Sequence, residues 1–268
     1  IHGPFNIQFI AKENAVKVIE CNLRASRSFP FVSKILKMNF IDLATKVIMG
    51  HPVPKIHGSV FDVEYVGVKA PQFSFTRLDG ADPTLGVEMA STGEVACLGD
   101  DFEEAFLKAV LSVGYHLPVR SMLLSTGPVE AKAAFLESAR ILQGLAVKLY
   151  ATKGTSDFLR ANNIETTLLH WPLEQETPNI LEYLTQGKFD LVVNTPKNYQ
   201  EEELTNDYMI RRHAVNFGIP LITNIQFAQR LVEALSRKGL DDLEIKSWRE
   251  YNPQHRLSSI GGALTAGS

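Results

Sequence analysis

The chain is 268 residues long, 45% hydrophobic and 21% charged, a balance that belongs to folded protein and leaves room for two domains of the usual ~100 to 200 residues. Its 27 basic and 30 acidic side chains give a formal net charge of −3, so the dense basic surface that grips nucleic acid is missing. No apolar run reaches the ~18 residues of a membrane span, and neither nucleic acid nor a membrane is expected as a partner.

The chain opens on Ile1 with no signal-like or transit-like stretch, and reads as the interior of a longer polypeptide whose targeting region lies elsewhere. Alternation along Asn6-Ile7-Gln8-Phe9-Ile10 and Lys17-Val18-Ile19-Glu20-Cys21-Asn22 has the period of two of strands, and Lys12-Glu13-Asn14-Ala15 is a polar turn. In such a hairpin Gln8, Glu20 and Asn22 share a face. Two cysteines, Cys21 and Cys97, are too few for a disulfide framework and fit a reducing compartment, with Cys21 expected as a buried thiol. Oxygen donors of this kind suit Mg²⁺, which takes one or two carboxylates and completes its shell with water and phosphate oxygens. Glu20 is the only anion of the set. Arg24 and Arg27 follow the strand, where forked donors would neutralise charge on a transferring phosphoryl group. From spacing alone, a polar strand edge with two solvated arginines fits equally well.

Beyond the hairpin, the apolar positions Val32, Ile35, Leu36, Phe40, Leu43, Ala44, Val47 and Ile48 predict two helices broken near Lys37-Met38-Asn39 and covering the sheet. His51-Pro52-Val53-Pro54 is a stop, and residues 57–62 read as loop. Val66-Gly67-Val68-Lys69 and Val95-Ala96-Cys97-Leu98 read as strands, joined through the turn at 78–83. An amphipathic helix over 101–113, capped by Asp100 or Asp101, ends a first domain. After the linker Tyr115-His116-Leu117-Pro118 the pattern alternates. Strands are predicted at 122–125, 147–151, 166–169, 191–194 and 220–223, and helices at 128–144, 157–162, 180–186, 208–217 and 225–238. Strands separated by helices imply parallel pairing, helices on both faces, and ligands at the strand carboxyl ends.

Three of those ends are polar: Ala151-Thr152-Lys153-Gly154-Thr155-Ser156-Asp157, His170-Trp171-Pro172 and Asn194-Thr195-Pro196-Lys197-Asn198. A Thr-x-x-Thr turn opening a helix offers hydroxyls and unpaired N–H groups to a carboxylate or phosphate, although threonine at a helix start is more often only a cap. The seven histidines show no metal-like spacing. Ser125-Thr126-Gly127-Pro128 passes for an anion loop but is more simply the start of a helix. The tail 252–268 lacks periodicity and is expected to be flexible.

Two blocks, Glu20-Cys21-Asn22-Leu23-Arg24-Ala25-Ser26-Arg27-Ser28-Phe29-Pro30-Phe31 and Glu88-Met89-Ala90-Ser91-Thr92-Gly93-Glu94-Val95, resemble the end of the second ATP-grasp module of the carbamoyl phosphate synthetase large subunit. Asn206-Asp207-Tyr208-Met209-Ile210-Arg211-Arg212, Tyr150 to Asp157, and Pro220-Leu221-Ile222-Thr223-Asn224 resemble the methylglyoxal synthase-like regulatory domain that closes that subunit. The resemblance implies an α/β chain. Residues 1–117 would form the C-terminal lobe of an α+β ATP-grasp module, 118–251 a doubly wound parallel-sheet methylglyoxal synthase-like domain, and 252–268 a tail.

It implies further that Gln8, Glu20 and Asn22 hold Mg²⁺ or Mn²⁺, Gln8 and Glu20 also facing ATP, and that Arg24 and Arg27 face phosphate. The intact polypeptide would be a ligase making carbamoyl phosphate from bicarbonate, ATP and ammonia or glutamine nitrogen, for urea and arginine or for pyrimidines. Carbamate is the acceptor of the second phosphorylation. The rest of the synthetase and a glutaminase domain or subunit would be partners, and the fragment alone would be inactive. Trp171 and the Ala-Thr-x-x-Thr-Ser-Asp form resemble the urea-cycle type, activated by N-acetyl-L-glutamate in the mitochondrial matrix; other types are cytoplasmic. Thr152, Thr155, Trp171 and Asn194 then match contacts with that activator, while Lys197 and Asp207 stand where that type carries asparagines. Bacterial members bind UMP or IMP in the same crevice. Gly67 falls where they carry a glutamate for ornithine, so ornithine activation is not expected. No acid–base pair beyond His170 and Asp157 marks this half as catalytic. The competing reading is a stand-alone regulatory module that binds an anionic metabolite without catalysis.

Overall fold

The computed structural model describes residues 2–55, 62–86, 89–195 and 201–251, the side chains of 201–204 excepted. The chain forms two compact units, residues 1–67 with 246–268, and residues 68–245. The expected tail at 252–268 lies outside the described residues.

In the first unit β1 (Asn6–Lys12) and β2 (Ala15–Asn22) pair antiparallel. Glu13 and Asn14 turn the chain with φ of 51° and 61°, the left-handed pair a two-residue hairpin loop requires. Pairing passes from Gln8 opposite Glu20 to Phe9 opposite Val18, so a bulge leaves Ile19 extra. Two helices follow, α1 (Ser28–Ile35) and α2 (Phe40–Ile48). Asn39 caps α2 by accepting from the Asp42 amide at 3.0 Å. The end of α1 is closed by side chains instead: Trp248 Nε1 donates to the Lys34 carbonyl at 2.9 Å and the Tyr65 hydroxyl to that of Ile35, serving orphan carbonyls of the last turn. Lys37, at φ 52°, lies against the Tyr65 and Trp248 rings with its nitrogen 5.4 and 5.8 Å from their centres. Burial lowers its pKa.

The expected cover over the hairpin is not what these helices provide. Neither contains a buried residue, and Phe9, Ile10, Val16, Val18 and Ile19 are 55–65% exposed. Cys21 is likewise exposed, not buried. A period of two says which side chains share a face of a ribbon, and nothing about whether a second layer closes over it.

β3 (Val66–Gln72), whose residues from Val68 on belong to the second unit, pairs with β4 (Gly93–Gly99), and α3 (Phe102–Ser112) follows, its first turn capped by Asp101 accepting from Glu104 N at 2.9 Å. Gly99 is needed at their junction, because a Cβ there would lie 2.4 Å from Ala105 N. The alternating half runs β5 (Ser121–Thr126), α4 (Val129–Gly144), β6 (Lys148–Ala151), α5 (Lys153–Ala161), β7 (Thr167–Leu168), α6 (Ile180–Thr185), β8 (Leu191–Thr195), α7 (Glu201–Asn216), β9 (Leu221–Ile222) and α8 (Ile225–Arg237). All five strands are parallel, in the order β7-β6-β5-β8-β9. Strand alternation divides the interior in two. Met122, Leu124, Leu191 and Val193 pack with Phe106, Leu107, Phe135 and Leu231 on one face, while Leu123 and Val192 pack with Ile180, Leu184 and Ile210 on the other. This is the doubly wound α/β arrangement expected, and α3 joins its core. β5 is the first strand and β8 its neighbour on the opposite flank from β6, so the chain reverses direction of growth between them. Ligands of open α/β sheets bind at that point, beyond the strand carboxyl ends.

Candidate functional site

On the hairpin, register decides which donors meet. Gln8 lies opposite Glu20 and Asn6 opposite Asn22. Asn22 is two residues from Glu20 on the same face, and its Nδ2 donates to Glu20 Oε1 at 2.9 Å. Gln8, Glu20 and Asn22 are thus brought together, a set of one carboxylate and two amides. To offer oxygen to a cation, the Asn22 amide has only to turn over. Arg24 and Arg27 are exposed on the chain that follows, Arg24 Nη1 donating to the Ala25 carbonyl at 3.3 Å and Arg27 standing before α1. No ion pair ties either to Glu20 among the described residues.

The crevice over β5, β6 and β8 is more closely built. Pairing sets Leu124 beside Ala151, Ser125 beside Asn194 and Thr126 beside Thr195. The next residue after β6 is Thr152, which precedes α5 without capping it through its side chain. Its carbonyl instead accepts from the amides of Thr155 and Ser156 at 3.0 and 2.8 Å. Thr155 Oγ1 accepts from Thr126 N, meets Thr126 Oγ1 and donates to the Thr126 carbonyl, each at 3.2 Å. Thr195 Oγ1 accepts from Gly127 N at 3.0 Å. Thr126, Thr152 and Thr155 are 2–4% exposed, so hydroxyls from three elements converge in a nearly dry corner.

Lys132 brings a positive charge to that corner, and sequence reasoning missed it. Its ammonium donates to the Gly127 carbonyl at 2.9 Å, and a Cβ on Gly154 would lie 3.7 Å from Nζ. The signal was present: Lys132 falls on the buried stripe of α4 with Phe135, Ala139 and Leu142, where a lysine is rarely placed without a partner. Ser125-Thr126-Gly127-Pro128 therefore lines the anion-ready corner as well as starting a helix.

Asn194 is fully buried and holds opposite charges apart: Nδ2 donates to Asp207 Oδ1 at 2.7 Å, and Oδ1 accepts from Arg211 Nη1 at 2.9 Å. Asp207 is thereby paired within the protein through Asn194. Arg211 also grips Asp82, Nε to Oδ1 at 2.8 Å and Nη2 to Oδ2 at 2.5 Å. Burial would raise the Asp82 carboxyl, but hydrogen bonds from Arg211 and Thr84 and the guanidinium charge outweigh it and hold it below the ordinary carboxylate range. Trp171 is half-buried against the second core face; its amide donates to Glu174 Oε2 and its carbonyl accepts from Asn179, both at 2.8 Å. Lys197 lies outside the described residues.

Spacing assigned no histidine to a metal, yet ligand atoms of His170, Glu174 and Glu176 lie within 4.8 Å of one another in the turn after β7. Glu174 already serves the Trp171 amide, so the trio braces this turn. A separate apolar cavity of about 740 Å³ is lined by Val68, Phe75, Phe106, Val110, Ile222 and Phe227, away from the polar corner. No described helix is long and apolar enough to cross a membrane.

Residues 134–223 match the MGS-like domain family. Multifunctional protein pyr1-3 of Dictyostelium discoideum is 47% identical over 97% of this chain, which covers 12% of that protein. For multifunctional protein URA2 of Saccharomyces cerevisiae the figures are 44%, 98% and 12%. For the human mitochondrial carbamoyl-phosphate synthase [ammonia] they are 45%, 94% and 17%. The chain thus spans under a fifth of the length of these curated relatives.

Proposed function

We propose, for a chain that is homologous over nearly its whole length to one region of the carbamoyl-phosphate synthase large subunit and carries an MGS-like domain, that the crevice over β5, β6 and β8 is the receptor for an anionic effector. The observation that carries this is the convergence of Thr126, Thr152 and Thr155 with buried Lys132 at the sheet's switch point. The amides of Lys153 and Gly154 open α5 ahead of the first bonded amide, that of Thr155, and hydroxyl donors with one ammonium suit a carboxylate or phosphate.

Within the same reading, residues 1–117 are the closing part of the ATP-grasp module and 118–251 the regulatory domain. Gln8, Glu20 and Asn22 fit Mg²⁺ by donor chemistry, one charge and two neutral oxygens, and would hold it beside ATP. Bound there, the ion neutralises polyphosphate charge. Arg24 and Arg27, exposed and without carboxylate partners among the described residues, are available to steady the phosphoryl group passed to carbamate. The intact polypeptide then makes carbamoyl phosphate, with the remaining synthetase modules and a nitrogen-supplying glutaminase as partners. Relatives named for ammonia and multifunctional relatives match at similar identity, so subtype and compartment go together: mitochondrial matrix with N-acetyl-L-glutamate, or cytoplasm with a nucleotide effector.

Calorimetry tests the receptor. N-acetyl-L-glutamate or UMP should bind saturably to the wild-type chain, and Thr152→Ala with Thr155→Ala should abolish it. Binding that survives the double change would place the effector elsewhere.

A further inference from the structure

Residues 73–86, between β3 and β4, are held against α7 by three of its side chains. The Tyr208 hydroxyl donates to the Gly80 carbonyl at 2.9 Å. Arg212 Nη1 donates to the carbonyls of Phe75, Leu78 and Ala81 at 3.0–3.1 Å. Arg211 makes the bidentate pair with Asp82. Only Arg211 also touches the crevice, through Asn194. We propose that Arg211 is a positioning residue that couples the anchoring of loop 73–86 to ligand affinity in the crevice, an inference that rests on the effector reading above.

The Asn194 amide is the link between the two. It lies between a carboxylate and a guanidinium, both on α7 and four residues apart, with Nδ2 toward Asp207 and Oδ1 toward Arg211. Turned over, it would set NH₂ against the guanidinium and C=O against the carboxylate. The charge pair therefore fixes the orientation of the Asn194 amide, whose second N–H is what a ligand entering the crevice would meet. Asp207 and Arg211 are each 2% exposed, so neither charge can turn to water. Arg211 is held from two sides, by Asp82 of the loop and by the Asn194 carbonyl oxygen. Without Asp82 the guanidinium loses the bidentate carboxylate that fixes its plane, and Asn194 Oδ1 loses a donor held in place. An anchored loop thus favours the ligand-ready amide, and by reciprocity a bound ligand favours the anchored loop.

The test uses the 268-residue chain with N-acetyl-L-glutamate and UMP as calorimetric probes. Asp82→Ala should weaken whichever probe binds by about fivefold or more, and Arg211→Lys, which keeps the charge but cannot serve Asp82 and Asn194 together, should do the same. A second arm needs no ligand. In Asn194→Ala, Arg211 Nη1 loses its acceptor and its hold on Asp82 is less firmly fixed, so amide hydrogen exchange across 75–86 should speed up while that of the β5 core is unchanged. Equal affinity in wild type and Asp82→Ala, or unaltered loop exchange in Asn194→Ala, would overturn the coupling. If wild type binds neither probe, the effector reading fails, and the exchange arm alone still decides whether Asn194 and the loop are linked.

Discussion

Thr155→Val isolates the hydroxyl at the centre of the crevice. Valine keeps the shape, so what is lost is the oxygen that accepts from Thr126 N at 3.2 Å and donates to the Thr126 carbonyl at 3.2 Å. Thr126 is 4% exposed, and water cannot easily replace the lost acceptor. A buried donor left unsatisfied costs about 1–3 kcal/mol. With a urea slope of about 2 kcal/mol per molar, the unfolding midpoint should fall by roughly 0.5–1.5 M. The two tryptophans sit in different compact units, Trp171 in one and Trp248 in the other. In a Trp248→Phe background, Trp171 fluorescence therefore reports the α/β unit alone. Thr155→Ser, which restores the hydroxyl and drops a methyl, should recover all but about 1 kcal/mol. An unchanged midpoint for Thr155→Val would mean that Thr126 finds another acceptor, and that this hydroxyl does not hold the corner together.

Gly99→Ala should lower the thermal midpoint, because the new Cβ meets Ala105 N at 2.4 Å and the Asp101 carbonyl at 2.9 Å, backbone atoms that cannot move aside; overpacking of this kind costs about 1–3 kcal/mol. Lys132→Met keeps the stem and removes the charge, so calorimetry should show affinity for an anionic probe falling about tenfold, or 1.4 kcal/mol. Because the Asp82 pKa is lowered in the folded state, its contribution is present in full above the unfolded value of about 3.9 and is lost as pH falls through the lower folded value. Protection factors across 75–86, with the intrinsic pH dependence of amide exchange divided out, should accordingly be steady from neutral pH to about 5 and fall only in stronger acid, below about 4, and Asp82→Asn should remove that acid limb.

Much of this architecture is legible in the residues themselves. The five parallel strands follow from short apolar runs separated by helical periodicity, and the shared face of Gln8, Glu20 and Asn22 from a period of two. What fails is informative. Helix α7 begins at Glu201, seven residues before the predicted 208, because 201–207 carries Leu204 as its one apolar residue, too little for a detectable stripe. Helix α5 begins at Lys153, four residues before 157, since Gly154 lowers the local propensity while the turn at Thr152 sets the start. The exposure of Cys21 could not be seen, because a pattern along one strand says nothing about what lies over it. Nor could the Asp82–Arg211 pair, whose partners lie 129 residues apart and meet only when α7 packs on the loop. Lys132 is readable in principle, since it falls on the apolar stripe of α4.

The receptor claim is tested most directly by backbone amide NMR of the 268-residue chain titrated with N-acetyl-L-glutamate and with UMP. The account predicts saturable shifts at Gly127, at Lys153 through Ser156 and at Asn194 with one of the two probes. Shifts confined to the apolar cavity around Phe106 and Phe227, or none with either probe, would contradict it.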